Sequence, residues 1–182
     1  MDAERHVVQF GEVVRTILDV FEERNGYPPG ENVVVEATGP EHLSALTEEF
    51  DGSVPEEVTT FFNRVAEIKL PNLWNGYFIG PTSWVAGIHK AAEPGAVRFD
   101  GGDREIMVLA TNGGGVTYGR PTEGDSGVFV LPPAGIDDGV YLTDSLMARN
   151  FREVAGSFEE FLEELASSAL AGAPDPFDPY RR

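Results

Sequence analysis

Two glycine clusters in this chain have the composition of a phosphate-binding loop. They are Asn112-Gly113-Gly114-Gly115 and Asp100-Gly101-Gly102-Asp103. A nucleotide-binding P-loop also needs a lysine and a serine or threonine after its last glycine, at the start of a helix. Gly115 is followed instead by Val-Thr-Tyr, which is typical of a strand. Because an asparagine-glycine pair supplies the positive φ angles of a tight turn, we predict hairpin turns here rather than a nucleotide site.

Carboxylates around the second cluster could supply oxygen ligands for calcium. Asp100, Asp103 and Glu105 are close together in the sequence. A calcium loop of the EF type needs acidic or polar groups at alternate positions and a bidentate closing glutamate, and this spacing does not match. A solvated turn is therefore the favoured interpretation. The three carboxylates remain candidates for contact with a positively charged partner.

No arrangement of catalytic or metal-binding residues stands out elsewhere in the sequence. His6, His42 and His89 form neither of the H-x-x-x-H and H-E-x-x-H pairs that bind zinc. Cysteine is absent, and no G-x-S-x-G elbow offers a nucleophilic serine. Carboxylates are so abundant that no single acid–base pair can be identified. We predict no catalytic, cofactor or metal site, and an enzyme or small-molecule binder with an unrecognised site stays as an alternative.

Aromatic residues cluster around a predicted turn at Asn75-Gly76. They are Trp74, Tyr77, Phe78 and Trp84. Such side chains can anchor a protein interface, but burial in the core is the more common outcome. Trp74, beside the turn, is the best candidate among them for a surface contact.

The net charge is the strongest property of the composition. The chain carries 31 acidic and 13 basic residues, which gives a net charge of −18. Such a field repels nucleic acid and accelerates encounter with a basic protein, although solubility alone would also explain it. The N-terminal region lacks the apolar core of a signal peptide, and no apolar run approaches the ~20 residues of a membrane span. We therefore expect a cytoplasmic protein that binds neither nucleic acid nor membrane, with its oligomeric state left open.

Hydrophobic periodicity predicts helices in the first half of the chain. Residues 2–24 read as an amphipathic helix that ends at Gly26. Residues 32–37 read as a strand whose central valines suggest that both faces are covered, and pairing at a sheet edge is left open for it. Residues 40–50 read as a short helix. Ser53 and Glu56 fit a capping box for a third helix, which must end before Pro71. The predicted apolar stripes are Val7, Phe10, Val14, Ile17, Leu18 and Phe21 in the first helix, and Val58, Phe61, Phe62 and Val65 in the third.

The second half of the chain favours an antiparallel sheet followed by a helix. Short apolar runs separated by glycine-rich turns are typical of a β meander. The predicted strands cover residues 84–88, 96–99, 105–111, 116–118, 127–131 and 139–142. A second capping box, Ser157 with Glu160, begins the last helix, and Gly172 ends it. Residues 172–182 contain three prolines and are predicted to form a mobile tail.

The order of these elements resembles the SUKH superfamily, a group of small α+β domains best known as bacterial immunity proteins. The matching features are Pro55-Glu56-Glu57 before the pair Phe61-Phe62, the segment LPNLWNGYFIGP, the glycine-rich region 99–142 and the final VAGSFEEFLEELASSAL. The resemblance covers residues 38–171. Residues 1–37 form an N-terminal helix and strand beyond it, and we predict that residues 1–171 are a single domain.

Both the pattern of elements and the resemblance imply an α+β fold with one mixed, mostly antiparallel sheet and helices packed on it. The resemblance further implies a non-catalytic domain, an immunity protein that binds and neutralises a basic toxin such as a nuclease. A regulatory scaffold in signalling or cell-wall control is the alternative that other members of the superfamily suggest. The residues predicted to contact a protein partner are Trp74, Tyr77, Asp100, Asp103 and Glu105.

Overall fold

The computed structural model describes residues 1–99, 101–124 and 126–180. Over these ranges the chain forms five α-helices and ten strands. The helices are α1 (Ala3–Asn25), α2 (Ser44–Glu49), α3 (Glu56–Phe62), α4 (Thr82–Lys90) and α5 (Phe158–Leu170). The strands are β1 (Val33–Glu36), β2 (Val65–Leu70), β3 (Tyr77–Ile79), β4 (Ala96–Phe99), β5 (Gly102–Asn112), β6 (Thr117–Pro121), β7 (Val128–Leu131), β8 (Ile136–Asp137), β9 (Val140–Tyr141) and β10 (Arg152–Ala155).

All ten strands belong to one mixed sheet. Its main path runs β1-β2-β3-β5-β4-β9-β8, while β6 pairs with β5 and β7, and β10 pairs with β7. Among the described strands β4 and β9 run parallel, and the other pairs are antiparallel. The predicted α+β class with a mixed, mostly antiparallel sheet is confirmed. Within the described ranges, no helix combines the length and the apolar character that crossing a membrane requires.

Helix α1 follows its predicted bounds, and most of its predicted stripe faces the core. Phe10 and Ile17 are buried, and the partly buried Val7, Val14 and Phe21 pack against the core cluster. The Asp2 side chain accepts a hydrogen bond from the Arg5 amide, and Gly26 ends the helix with a φ of 77°. Val13 is buried, whereas Leu18 is 48% exposed. This face meets β1, β2 and α5 together, and the pattern of α1 alone does not define such a three-sided contact. Its buried residues are Ala3, His6, Phe10, Val13 and Ile17.

The predicted capping box at Ser53 is wrong, and so is the length of the helix it begins. Helix α3 starts directly after Pro55 and has no side-chain hydrogen bond at its N-cap. It ends at Phe62, and Val65 begins strand β2 instead of continuing the helical stripe. Because β2 pairs with β1 on one side and β3 on the other, its backbone groups find partners far away in the sequence. Sheet pairing therefore overrides the local helical spacing.

The predicted strand at residues 84–88 is also wrong, because these residues belong to helix α4. The helix begins after Pro81 and carries His89 and Lys90 in its last turn. Its Val85 and Ala86 are buried, and the helix packs on α2 and β5. A five-residue apolar run does not distinguish a buried strand from a buried helix.

Strand β1 lies at the edge of the sheet, the placement that the sequence left open, whereas the prediction that both of its faces are buried is wrong. It pairs with β2, and Val35 is 38% exposed. Strands β8 and β10 were not predicted from the sequence. They are two and four residues long and include charged side chains, so they show too little alternation to be recognised.

The glycine-rich hairpin between β5 and β6 is confirmed. The two strands pair from Ile106 to Thr111, and the Asn112 side-chain oxygen accepts hydrogen bonds from the amides of Gly114 (2.9 Å) and Val116 (3.1 Å). A Cβ at Gly113 would lie 2.1 Å from the backbone oxygen of Asn75, so this position requires glycine. The pairing of Phe99 with Gly102 also confirms the hairpin between β4 and β5, although Asp100 lies outside the described residues.

Most of the apolar core lies between the sheet and helices α1, α3 and α5. The Phe61 ring packs edge-on against Phe158 at 5.3 Å, and Tyr118 from β6 lies 5.3 Å from Phe161. The predicted capping box of α5 is present, since Ser157 Oγ accepts from the Glu160 amide at 3.1 Å. A smaller cluster joins β4, β5, β7 and β9 and contains Val97, Ile106, Phe129, Leu131, Tyr141 and Ala148.

The C-terminal segment is packed where the sequence predicts a mobile tail. Phe177 is 2% exposed, and its ring stacks on Phe161 at 4.7 Å. Asp175 accepts hydrogen bonds from the Tyr77 hydroxyl (2.8 Å) and from the Phe177 amide (2.9 Å). The Trp74 indole N–H donates to the Ala173 carbonyl at 2.9 Å. Residues 173–180 are thus held by an aromatic contact and several hydrogen bonds.

Candidate functional site

A cleft of about 710 Å³ lies between the loop after α2 and the turns at the start of β5 and the end of β6. Five carboxylates and one guanidinium are among its lining side chains. We call it the acidic cleft. Its lining residues are Glu49, Phe50, Asp51, Ser53, Asp103, Arg104, Glu105, Thr122, Glu123 and Gly124.

Three separate turns bring these carboxylates together. Helix α2 ends at Glu49, and Asp51 follows in the left-handed conformation with a φ of 46°. The β4–β5 hairpin contributes Asp103 and Glu105, and the loop after β6 contributes Glu123. The chain therefore gathers charges that are up to about seventy residues apart, and repulsion between them favours a cationic partner.

Asp103 is the one cleft carboxylate with a close arginine partner among the described contacts. Arg98 on β4 donates to it through Nε at 2.8 Å and Nη2 at 3.1 Å. This two-point hydrogen bonding holds the pKa of Asp103 below its usual value and raises the pKa of Arg98. Asp103 is consequently charged, but Arg98 offsets its charge. The other carboxylates of the cleft have no arginine partner among the described contacts and contribute more to its negative potential.

His89 on α4 lies between two carboxylates at the edge of the cleft. Its Nδ1 is 2.8 Å from a Glu49 oxygen, and its Nε2 is 3.4 Å from a Glu105 oxygen. The ring also packs 4.4 Å from the Phe50 ring. A neutral imidazole donates from one nitrogen and an imidazolium from both, so this ring can bridge both carboxylates only when it is protonated.

Arg104 provides the positive charge on the cleft wall. Its guanidinium lies 4.9 Å above the centre of the Phe99 ring, at the distance of a cation–π contact. Because Phe99 packs against the smaller apolar cluster, this contact holds the Arg104 side chain against that cluster.

The predicted contact residues fall at opposite ends of β5. Asp103 and Glu105 lie in the acidic cleft at its start, whereas Tyr77 pairs with Asn112 at its end. Seven to nine residues of strand separate them, which corresponds to roughly 24–31 Å. Asp100 lies outside the described residues. The structure thus does not gather the predicted residues into one site.

Tyr77 is buried and contributes to the interior instead. Its hydroxyl hydrogen bonds to the Tyr118 hydroxyl at 2.8 Å and to Asp175 at 2.8 Å. Burial raises the pKa of both tyrosines above the usual value, so both stay neutral. A partner cannot touch Tyr77 without moving the C-terminal segment.

Trp74 borders a second cleft, of about 690 Å³, which we call the aromatic cleft. It lies where α1 and α5 end, beside the loop between β2 and β3. The side chains that define it are Ile17, Phe21, Arg24, Tyr27, Trp74 and Leu170. Of these residues, Trp74 was predicted from the sequence as a contact residue, while Ile17 and Phe21 were predicted as part of the apolar stripe of the first helix. Arg24, Tyr27 and Leu170 were not singled out, because α1, α5 and the β2–β3 loop meet only in the folded chain.

Three carboxylates that line the acidic cleft, Glu49, Asp51 and Glu123, were also not predicted from the sequence. Asp51-Gly52 and Glu123-Gly124 share one usable signal, an acidic residue directly before a glycine that turns the chain. The same signal marks many solvated turns, so only the folded arrangement shows that these carboxylates converge.

Arg120 on β6 and Glu57 on α3 form a largely buried ion pair that holds these two elements together. Arg120 donates to Glu57 through Nη1, and both side chains are largely buried. The other Glu57 oxygen accepts from the Phe158 amide at 3.2 Å, at the start of α5.

A group of three or more histidine, aspartate or glutamate side chains arranged to hold a metal ion is not found in the part of the chain that the structure describes.

Comparison with known proteins gives no family for this chain. It matches no protein-family model, and no curated protein is similar to it in sequence. The resemblance to the SUKH superfamily therefore stays a prediction, and the acidic cleft carries the functional argument.

Proposed function

We propose that this chain is a non-catalytic protein-binding domain that acts as an immunity protein and neutralises a basic toxin. The observation that supports it is the acidic cleft, in which Glu49, Asp51, Glu105 and Glu123 converge from separate turns. A chain with a net charge of −18 attracts a basic partner from a distance, and this cleft concentrates the charge at one place.

The cleft would bind the basic surface with which a nuclease approaches phosphate. A nuclease must present lysine and arginine side chains to its substrate, and carboxylates placed on those side chains exclude nucleic acid. The aliphatic stem of the exposed Arg104 would supply an apolar contact that slows dissociation. Neutralisation then requires occupancy alone and no chemical step.

Affinity capture of the tagged chain from its native host tests this proposal. We expect one stoichiometric basic protein with a toxin domain, retained at low salt and weakened at raised salt. Capture of several weak partners would favour a regulatory scaffold instead, and capture of none would contradict the proposal.

A charge-matched pair of variants makes the capture specific to the cleft. Asp51→Asn with Glu123→Gln removes two exposed carboxylates from it, and asparagine tolerates the left-handed backbone at position 51. Glu12→Gln with Asp19→Asn removes two exposed carboxylates from α1. We expect the cleft variant to lower retention and the α1 variant to leave it close to the unmodified level; equal retention by both would refute the cleft as the contact surface.

A further inference from the structure

His89 lies at the edge of the acidic cleft, where α2, α4 and β5 meet. It belongs to the last turn of α4, and this helix packs on α2 and β5. The Nδ1 atom of His89 lies 2.8 Å from a Glu49 oxygen at the end of α2, and Nε2 lies 3.4 Å from a Glu105 oxygen on β5. Because both carboxylates line the cleft, the charge of this ring acts directly on the potential of the cleft.

The two contacts of this ring place opposite demands on a neutral imidazole. An ionised carboxylate only accepts hydrogen bonds, so the 2.8 Å contact with Glu49 requires a proton on Nδ1. In the neutral ring Nε2 then carries a lone pair, which faces the Glu105 carboxylate and is repelled by it. A second proton, on Nε2, turns this repulsion into an attraction, so that one imidazolium joins α2, α4 and β5.

Carboxylates outnumber cations among the charged side chains around this ring. The charged residues of the cleft lining and of the end of α4, besides Glu49 and Glu105, are Asp51, Asp103, Arg104, Glu123 and Lys90. The 3-10 turn that carries His42 contacts α4 near Thr82, at the other end of the helix. The His89 ring packs 4.4 Å from the Phe50 ring, and this contact keeps it between the two carboxylates. A proton on the ring therefore offsets part of a net negative charge.

We propose that proton uptake by His89 regulates the acidic cleft, because the proton and a basic side chain of a partner compete for Glu49 and Glu105. An imidazolium offsets charge that would otherwise attract lysine or arginine, and it engages the same carboxylate oxygens. Since such coupling is reciprocal, a bound basic partner releases the proton, and the partner binds more weakly as the pH falls through the range in which histidine becomes charged. This regulation rests on the proposed function, because it acts on the same contact surface.

Binding of N-acetyl-pentalysine amide to the full-length chain tests this coupling without a toxin. The peptide carries charge on its lysine side chains alone, and these stay charged between about pH 5.5 and 7.5, where ordinary carboxyl groups stay ionised. Histidine is the side chain that ordinarily changes charge in this interval. At fixed low ionic strength we expect binding to be roughly threefold weaker at pH 5.5 than at pH 7.5. Calorimetry in two buffers that differ in ionisation enthalpy should show release of up to about one proton per bound peptide near pH 6.5.

Two substitutions, checked for folding by circular dichroism, assign the coupling to this ring. His89→Gln keeps a donor for Glu49 but has no titrating group, so its binding should change by less than about 1.5-fold between the two pH values. Glu105→Gln, at a side chain that is 47% exposed, removes the carboxylate that faces Nε2. It should weaken binding at pH 7.5 and reduce the pH dependence. Both variants retain His6 and His42, so a full pH dependence in His89→Gln would belong to those residues and would overturn the proposal.

The Asp51→Asn, Glu123→Gln variant separates regulation by His89 from the binding role of the cleft. We expect this variant to bind the peptide more weakly than the unmodified chain at pH 7.5, because two carboxylates of the cleft are lost. If it does, but the unmodified chain binds equally at both pH values, regulation by His89 is overturned and the cleft remains the contact surface. No measurable binding at either pH, or equal binding by the variant and the unmodified chain, would overturn the contact surface and the regulation together.

Discussion

Replacement of Phe177 by alanine measures how firmly the C-terminal segment packs on the body of the fold. The ring is 2% exposed, stacks on Phe161 at 4.7 Å with 17° between the planes, and lies 6.2 Å from the Tyr118 ring. Burial of a phenylalanine side chain contributes about 1.5–3 kcal/mol, and a stacked aromatic pair adds about 0.5–1.5 kcal/mol. We therefore expect Phe177→Ala to lower the free energy of unfolding by about 3 kcal/mol.

Urea unfolding followed by circular dichroism gives this free energy, with Tyr180→Ala as the matched control. Tyr180 belongs to the same segment but is 62% exposed, so its loss should cost less than about 0.5 kcal/mol. In Phe177→Ala the Trp74 indole signal should also move, because its acceptor Ala173 belongs to the segment that is released. A change for Phe177→Ala no larger than for the control would show that the segment does not pack in solution, and would refute this reasoning.

Three further substitutions test a buried ion pair, a tight turn and a buried histidine. Arg120→Met should lower the free energy of unfolding in urea by about 3 kcal/mol, because Glu57 then keeps a largely buried carboxylate without this guanidinium. Gly113→Ala should lower it by about 1–3 kcal/mol, because the new Cβ would lie 2.1 Å from the Asn75 oxygen. His6→Leu should reduce the loss of stability on acidification below pH 6.5, since burial lowers the pKa of this fully buried imidazole and neither ring nitrogen has a described hydrogen-bond partner.

The sign of the His6 effect follows from proton binding. With a folded-state pKa below the ordinary value of about 6.5, the unfolded chain binds the proton first as the pH falls. The stability contribution of neutral His6 is therefore complete above pH 6.5 and is lost between that pH and the lowered pKa. Unfolding measured at several pH values would contradict this assignment if His6→Leu and the unmodified chain kept the same pH dependence.

The other two variants each have a control of their own. Gly101 has open space around an added Cβ, so Gly101→Ala should be tolerated where Gly113→Ala is not. For the ion pair, adding Glu57→Gln to Arg120→Met should recover part of the lost stability, because it removes the charge left without this partner. Additive losses in that double-mutant cycle would contradict a direct coupling between the two side chains.

The parts of the fold with strong local signals were predictable from the sequence. Helix α1 has a capping aspartate, a long apolar repeat and Gly26 in the left-handed conformation, so both of its ends were located to within one residue. The β5–β6 hairpin has a run of glycines, the residues that a tight turn requires. In both cases the determining contacts lie within a few residues of each other.

The wrong predictions concern elements whose partners are distant in the sequence. Val65 continued the helical spacing of α3, yet it begins β2 because β1 and β3 offer hydrogen bonds on both sides. The C-terminal segment reads as a proline-rich tail, yet Phe177 fills a space made by α5 and β6. The local sequence of this segment does not show that α5 and β6 leave room for the Phe177 ring.

Only the acidic character of the candidate site was predictable from the sequence. The acidic composition and the carboxylates at the β4–β5 turn pointed to a basic partner, and Asp103 and Glu105 do lie in the acidic cleft. The sequence could not show that Glu49 and Glu123 complete this cleft, nor that Trp74 lies at the other end of β5. Those relations depend on how the sheet is ordered.

The rate of association with the captured partner, measured against ionic strength, tests the role of the acidic cleft most directly. We expect the rate constant to fall steeply with salt, and the Asp51→Asn, Glu123→Gln variant to associate roughly three- to tenfold more slowly at low salt. The Glu12→Gln, Asp19→Asn control, with the same net charge, should lie close to the unmodified chain. Identical rates for the two variants at every ionic strength would contradict the cleft as the site that binds a basic protein.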